Sequence, residues 1–468
     1  MTDVASTGSD HLQPPSAGAV IRPDDPLFDE ARKVWNADID RRPAVIVRCS
    51  TPGEVVTALG WARAEGLEIA VRGGAHSVSG ASSVDGGMVI DLSPMRGVRV
   101  DPAARRVRVG GGALHSDLDA ACQEHGLAVP VGLVSHTGVG GLTLGGGMGW
   151  LTRRAGLTID SLVSAEVVLA DGRIVQASAN EHPDLFWALR GGGGNFGVVT
   201  EFEFKLHEAG PTVDFGLFFW PSEQGPEVLR LARDLVSILP RDLNVVLGEL
   251  NAPPAPFVPE QYRFRPGYAL LLTGFGPTSQ HAAVVERIRG AIPPLFETIG
   301  PMPYVKLQQL LDESTAWGRF HYEKTTYLTE LTDNAIQIIT DHAARRTSPL
   351  TKILIYLLDE AYTETGEHDT AFGGERTPRY SVFILAAAPD KQSLTADHAW
   401  ARAFWDALQP AAQGAGGYLN VTNDYDATSL RASYGADKLA RLARIKTECD
   451  PENVFRHNIN IKPAAPAG

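Results

Sequence analysis

Glycine placement constrains this chain more than any other feature. More than half of its 48 glycines fall between residues 72 and 197, interleaved with apolar residues. A flexible linker would be Gly/Ser-rich and polar, and the run Gly132 to Gly149 is not, since Leu133, Val134, Val139, Leu142, Leu144 and Met148 punctuate it. Such a run suits backbone packed tightly along something flat. A shorter stretch, Ile69 to Gly80, reads I-A-V-R-G-G-A-H-S-V-S-G. Its β-branched start predicts a strand that ends at Gly73 and Gly74. Adjacent glycines can turn through positive φ and bring N–H groups against an anion, with Arg72 adding charge and His76 a nucleophilic ring. That reads as an anion-binding turn, most simply for pyrophosphate; a surface turn with an ordinary histidine fits the same residues.

Composition narrows the class. A 468-residue chain with 44% hydrophobic and 21% charged residues is globular and long enough for two domains. A net charge of −13 argues against nucleic acid and anionic membrane as partners. Cys49, Cys122 and Cys449 are far apart and form no C-x-x-C pair, so neither a zinc site nor a disulfide framework is expected, and no metal is implied. Residues 1–20 lack basic and apolar signal regions and read as a disordered polar tail. No apolar run reaches membrane-spanning length. A soluble, cytoplasmic protein is expected.

Taken in order, Pro23-Asp24-Asp25 caps a helix carrying Phe28, Val34 and Trp35. A strand at 44–47 leads to a helix opened by Thr51 as N-cap, Pro52 as N1 and Glu54 of a capping box. Strands follow at 69–72, 88–92, 97–100 and 105–112, and a helix over 114–125 closes at Gly126. Asp171-Gly172 turns a hairpin between strands 166–170 and 174–177, and 183–189 is a short helix. Gly192 to Gly197 satisfies G-x-G-x-x-G, but it follows a helix and opens an alternating strand, so the dinucleotide-fold reading fails on context. Past Gly210 the texture becomes α+β: strands at 213–220, 268–272, 353–358 and 380–387, with helices at 228–238, 282–291, 334–344 and 398–408. Tyr418-Leu419-Asn420, a helix over 436–449 and N-V-F-R-H-N-I-N-I at 453–461 complete the chain. Asn458 and Asn460, two apart, share a face of that extended end and suit a heterocycle edge or a turn equally.

Four linked motifs, R-G-G-A-H at 72–76, G-V-G-G-L-T-L-G-G-G-M-G at 138–149, G-G-G-G-N-F-G-V-V-T at 191–200 and the closing Asn-rich run, resemble the vanillyl-alcohol-oxidase type of flavoprotein oxidases, with their PCMH-type FAD-binding domain. The likeness is greatest to the berberine-bridge-enzyme-like branch and runs from Pro23 to Pro463. It implies an α+β fold: a two-lobed FAD-binding domain over 21–210, completed by 414–468, with an inserted substrate domain over 211–413 on a mixed or antiparallel sheet. It assigns Arg72, Gly73, Gly74, Ala75, His76, Ser77 and Gly80 to FAD, the loop backbone holding the pyrophosphate. Leu133, Thr137, Gly138, Gly140, Gly141, Gly145, Gly146, Met148 and Gly149 follow from the second motif, Asn195, Gly197 and Val198 from the third, and Asn458 and Asn460 from the end.

His76 matches the residue that relatives join covalently to the flavin 8α carbon, a task neutral imidazole suits as a nucleophile. Where many relatives add a cysteinyl link this chain has Val134, so the resemblance implies FAD held singly, through His76. Relatives that oxidise alcohols carry Y-x-N-Y, whereas Tyr418-Leu419-Asn420-Val421 lacks the second tyrosine. Amine oxidation can proceed without a phenolic base, because a neutral amine carries its own lone pair. Tyr418 is the leading active-site candidate and Tyr356 a pocket-wall candidate. The activity implied is hydride transfer to flavin from a C–H next to N or O of a small substrate, tilted toward heterocyclic amines, with molecular oxygen as acceptor and hydrogen peroxide as product. Alcohol or phenol oxidation, a dehydrogenase using another acceptor and a non-redox flavin cyclase or scaffold are the alternatives. The oligomeric state is open.

Overall fold

The computed structural model describes residues 18–424 and 426–465. Residues 1–17 of the expected tail lie outside the described residues, and Ala19–Ile21, the former two also assigned to that tail, form a strand paired antiparallel with Val45–Arg48. That strand edges a four-stranded sheet in which Val45–Arg48, Met88–Asp91 and Ile69–Arg72 run parallel. Parallel pairing requires a crossover, and the helix Pro52–Ala64 supplies one. Thr51 Oγ1 accepts from Glu54 N at 3.2 Å, while the Glu54 carboxylate reaches back to Ser50 N at 2.6 Å, one residue before the usual capping-box partner.

The helix after Pro23 spans only Phe28–Ala31, and Val34 and Trp35 fall beyond it. Trp35 N donates to Ala75 O at 3.0 Å and Asn36 bridges to Arg319, so tertiary partners draw the backbone out of the helix. A second sheet is antiparallel throughout, ordered Val98–Asp101, Arg106–Gly110, Val198–Lys205, Leu162–Val168, Ile174–Ser178. The glycine-rich run contains an unanticipated helix, Val139–Gly145.

The third sheet has seven antiparallel strands, where pattern reading finds four: Phe296–Pro303, Thr212–Pro221, Pro266–Gly274, Leu243–Asn251, Lys352–Leu358, Arg379–Ala388 and Phe320–Leu328 in spatial order. All its strands but the edge strand Phe296–Pro303 are buried almost throughout, as expected when both faces are covered. Ile353, Ile355, Val382 and Ile384 pack into one core with Val228, Ile288, Ile336 and Phe404 of the covering helices. Leu354, Tyr356, Phe383 and Leu385 face the other way, into a core with Leu133, Met148, Trp150 and Tyr418. No described helix is long and apolar enough to cross a membrane.

The chain end is bolted back by a polar knot. Helix Ala427–Cys449, interrupted at Gly435, presents Lys446, whose Nζ donates to Asp450 Oδ2 at 2.6 Å, Asn195 O at 2.7 Å and Phe455 O at 2.9 Å. Asp450 accepts in turn from the N–H groups of Val454 and Phe455. Both ions are fully buried. Removing one partner strands the other charge, so Lys446→Met is expected to cost about 3–5 kcal/mol, read as a lowered urea midpoint of the purified protein.

Candidate active site

A cavity of about 360 Å³ opens between the glycine-rich loops and the face of the seven-stranded sheet away from its covering helices, within the size range of small-molecule sites. One wall is the loop Gly73 to Ser79, helix 139–145, the glycines 191–194 and residues 455–459. Glu323, Lys352, Leu354, Tyr356, Phe383 and Leu385 form the opposite wall. Register explains that wall: Glu323 and Lys352 both pair with Leu385, from either side, so one row of the sheet carries an acid, a leucine and a base.

Gly73 and Gly74 do not take positive φ; the left-handed residue of the turn is Ala75, at φ 53°. An L-residue there is strained by an amount on the order of 1–3 kcal/mol. What requires glycine is crowding, because a Cβ on Gly74 would overlap the Gly138 backbone and one on Gly138 would overlap Gly74. The two glycine runs therefore touch backbone to backbone. At Gly141 and Gly194, both on the cavity wall, a Cβ would meet nothing within 4 Å of the protein.

His76 lines the cavity on that turn. Its ring stacks on Trp35 at 4.3 Å and 19°, and Trp35 stacks on His321 at 3.9 Å. His76 Nε2 lies 3.0 Å from His136 Nδ1. Burial, then the neighbouring His136, His321 and His115, holds the His76 imidazole well below its ordinary pKa, so the ring is neutral. Asp312 fixes the strand of chain beneath, accepting from Ser135 N at 2.8 Å and Ser135 Oγ at 2.6 Å.

Eighteen of the 23 residues singled out from sequence line the cavity: Gly73, Gly74, Ala75, His76, Ser77, Leu133, Thr137, Gly138, Gly140, Gly141, Gly145, Met148, Asn195, Gly197, Val198, Asn458, Tyr356 and Tyr418. Five do not. Arg72 turns away, its guanidinium bonded to the carbonyls of Ala31, Arg32 and Lys33, so its charge fixes the entry segment instead of facing the turn. Gly80 sits at φ 80° against Ile39, Gly146 at φ 135° against Phe372 and Tyr418, and Gly149 backs onto Val131 O. Asn458 and Asn460 part company: Asn458 lines the cavity, whereas Asn460 does not, because residues 450–465 form no regular strand and alternation does not hold. Asn195 touches the cavity, yet its side chain serves the fold, donating to Gly192 O and Ile459 O and accepting from Ile461 N.

Tyr418 is 3% exposed, and its hydroxyl oxygen accepts from Gly147 N at 2.8 Å and Asn420 Nδ2 at 2.9 Å. Burial outweighs those donors and pushes the phenol up to about 12. Burial raises Tyr356 as well. Neither is poised as a base near neutrality. Sequence reasoning missed Trp35, His136, His321, Glu323 and Lys352, which carry no local motif and meet only through the tertiary fold. Lys352 Nζ donates to Ser314 O at 3.1 Å and Ser314 Oγ at 3.0 Å, and burial brings its pKa down to about 8.

With that geometry in view, the comparisons are consistent. Residues 43–178 match the FAD binding domain family, and residues 417–462 match the family described as berberine and berberine like. An FAD-linked oxidoreductase of Dictyostelium discoideum is 32% identical over 434 residues, 92% of this chain and 91% of that protein. (R)-6-hydroxynicotine oxidase of Paenarthrobacter nicotinovorans is 32% identical over 464 residues, covering 95% and 97%. The crystal structure of 6-hydroxy-D-nicotine oxidase from Arthrobacter nicotinovorans superposes with a TM-score of 0.84 at 29% identity, over 96% of this chain and 98% of that one. The fold is shared at 23% identity, TM-score 0.84, with glucooligosaccharide oxidase from Acremonium strictum (96% and 97% covered), described with a 6-S-cysteinyl, 8α-N1-histidyl FAD.

The chain belongs to the PCMH-type FAD-linked oxidase family, in its berberine-bridge-enzyme-like branch. It is an FAD-dependent oxidoreductase. The residues present fit that cofactor: open space at Gly141 and Gly194, an Asn458 Oδ1 buried without a partner, and a neutral histidine on the wall.

Lys352 gives the site a testable titration. Its charge is present below about pH 8 and is lost above it, so an anionic aromatic probe such as benzoate is held less well as pH rises through that value. Binding read as perturbation of flavin absorbance is expected to show this dependence in the wild type and not in Lys352→Met.

Proposed function

We propose that this protein is an oxidase of small heterocyclic amines that carries FAD on a single covalent link to His76. In this reading residues 21–210 and 414–468 hold the cofactor, and 211–413 supply the substrate wall. The observation that carries it is the composition of the cavity. His76 is its neutral nucleophile, and none of the three cysteines lines it. Val134, at the place of the cysteinyl link in many relatives, lines the cavity and donates no sulfur.

Bound FAD supplies a two-electron acceptor for hydride and, once reduced, a donor that turns oxygen into hydrogen peroxide. The chain's own contribution is placement. The apolar side chains Leu354, Phe383 and Leu385 exclude water and press a planar substrate against the opposite wall. Glu323 is the single carboxylate among the described residues lining the cavity. It suits an amine, holding it as a cation on entry and accepting the proton that frees its lone pair. Similarity to 6-hydroxynicotine oxidase supports the same substrate class.

Oxidation of an alcohol or phenol is the second reading, and it rests on Tyr418. Two N–H donors to its oxygen favour a phenolate, but burial still leaves the group at about 12. The amine reading asks for no such base.

Acid precipitation of wild-type protein is expected to leave a yellow pellet, and His76→Ala a colourless one with flavin in the supernatant. Anaerobic mixing with a panel of amines and alcohols is expected to bleach the flavin with amines. Admitting oxygen should then restore the colour with one equivalent of hydrogen peroxide. Bleaching by alcohols alone would select the second reading, and persistent bleaching in air would make the protein a dehydrogenase.

A further inference from the structure

We propose that His136 is a positioning residue for cofactor attachment: it takes the proton from His76 Nε2 while the other nitrogen of the His76 ring forms the bond to the flavin. The inference rests on the singly linked FAD proposed above.

A neutral imidazole carries one N–H and one in-plane lone pair, and the partner of one nitrogen decides which is where. His76 Nε2 and His136 Nδ1 are 3.0 Å apart, so one hydrogen lies between them. When His76 donates it, the lone pair sits on His76 Nδ1 and the ring is a nucleophile there. Stacking on Trp35 at 4.3 Å, with His321 on the far face of that indole, fixes the ring plane while this happens.

His136 is not part of the cavity wall. It stands behind His76 and can influence the cofactor only through it. Burial lowers the His136 pKa, and Asp312, facing it, offsets part of that. Asp312 is in turn held by two hydrogen bonds from Ser135, adjacent to His136 in the chain. The His76–His136 pair is thus a nucleophile with a base beside it, while His136 Nε2 is buried without a hydrogen-bond partner.

The step balances. One C–H bond of the flavin 8α-methyl group and one N–H bond of His76 are replaced by one C–N bond. The two electrons and two protons released reduce dioxygen to hydrogen peroxide, the His76 proton passing first to His136 Nδ1.

The test separates bound from attached flavin. In the wild type, acid precipitation and fluorescence of the denatured band should place essentially all flavin on the protein. In His136→Ala, total flavin in the folded protein should be unchanged, while the attached fraction falls at least tenfold. Imidazole added during flavin loading should restore attachment by filling the space the side chain leaves. Asp312→Asn should slow attachment with total flavin retained. Full attachment in His136→Ala would overturn the proposal. So would loss of total flavin that imidazole does not repair, which marks a purely structural role. Release of flavin from the wild type would instead overturn the His76 link itself, and this proposal with it.

Discussion

The site depends on one contact with no side chains in it, the meeting of the Gly74 and Gly138 backbones. It joins the turn that carries His76 to the helix 139–145 and to the segment that carries His136. A methyl group at either position would force the two loops apart. Interiors pack too densely to absorb such a shift without moving what is attached, and here that is the histidine pair. The 3.0 Å spacing between those rings is therefore set by glycines that touch neither of them.

A second constraint holds the other side. Lys446 and Asp450 bury a full ion pair to satisfy the carbonyls of Asn195 and Phe455 and the N–H groups of the returning chain. Buried charges are tolerated only when fully paired and hydrogen-bonded, and this pair meets that condition. It brings Asn458 to the same cavity wall as the 73–79 turn.

Much of this was legible in the sequence, and the limits have physical causes. The glycine-rich wall of the cavity was readable because its glycines, His76 and Asn458 sit in short contiguous motifs. The reason assigned to Gly73 and Gly74 was not: local geometry suggests a turn through positive φ, whereas Gly74 is crowded by a partner 64 residues away at Gly138 and Gly73 by the carbonyl of Gly111. Arg72 looked like a ligand group because it is charged and adjacent, yet three backbone carbonyls claim it. The opposite wall was hidden because Glu323 and Lys352 meet through strand register across Leu385, and register is decided by tertiary pairing. Two of the three missed strands of that sheet, Leu243–Asn251 and Phe320–Leu328, are buried almost throughout, and burial on both faces erases the alternation that marks a strand.

That sheet separates two tasks along a single strand. In Lys352–Leu358, Ile353, Ile355 and Leu357 belong to the helix-covered core, while Lys352, Leu354 and Tyr356 look into the cavity. Odd positions answer to stability and even positions to whatever occupies the site. Relatives can therefore exchange one set without renegotiating the other. A fold built this way can diversify its chemistry by editing alternate letters of a strand, while its scaffold and its glycine-rich wall stay as they are.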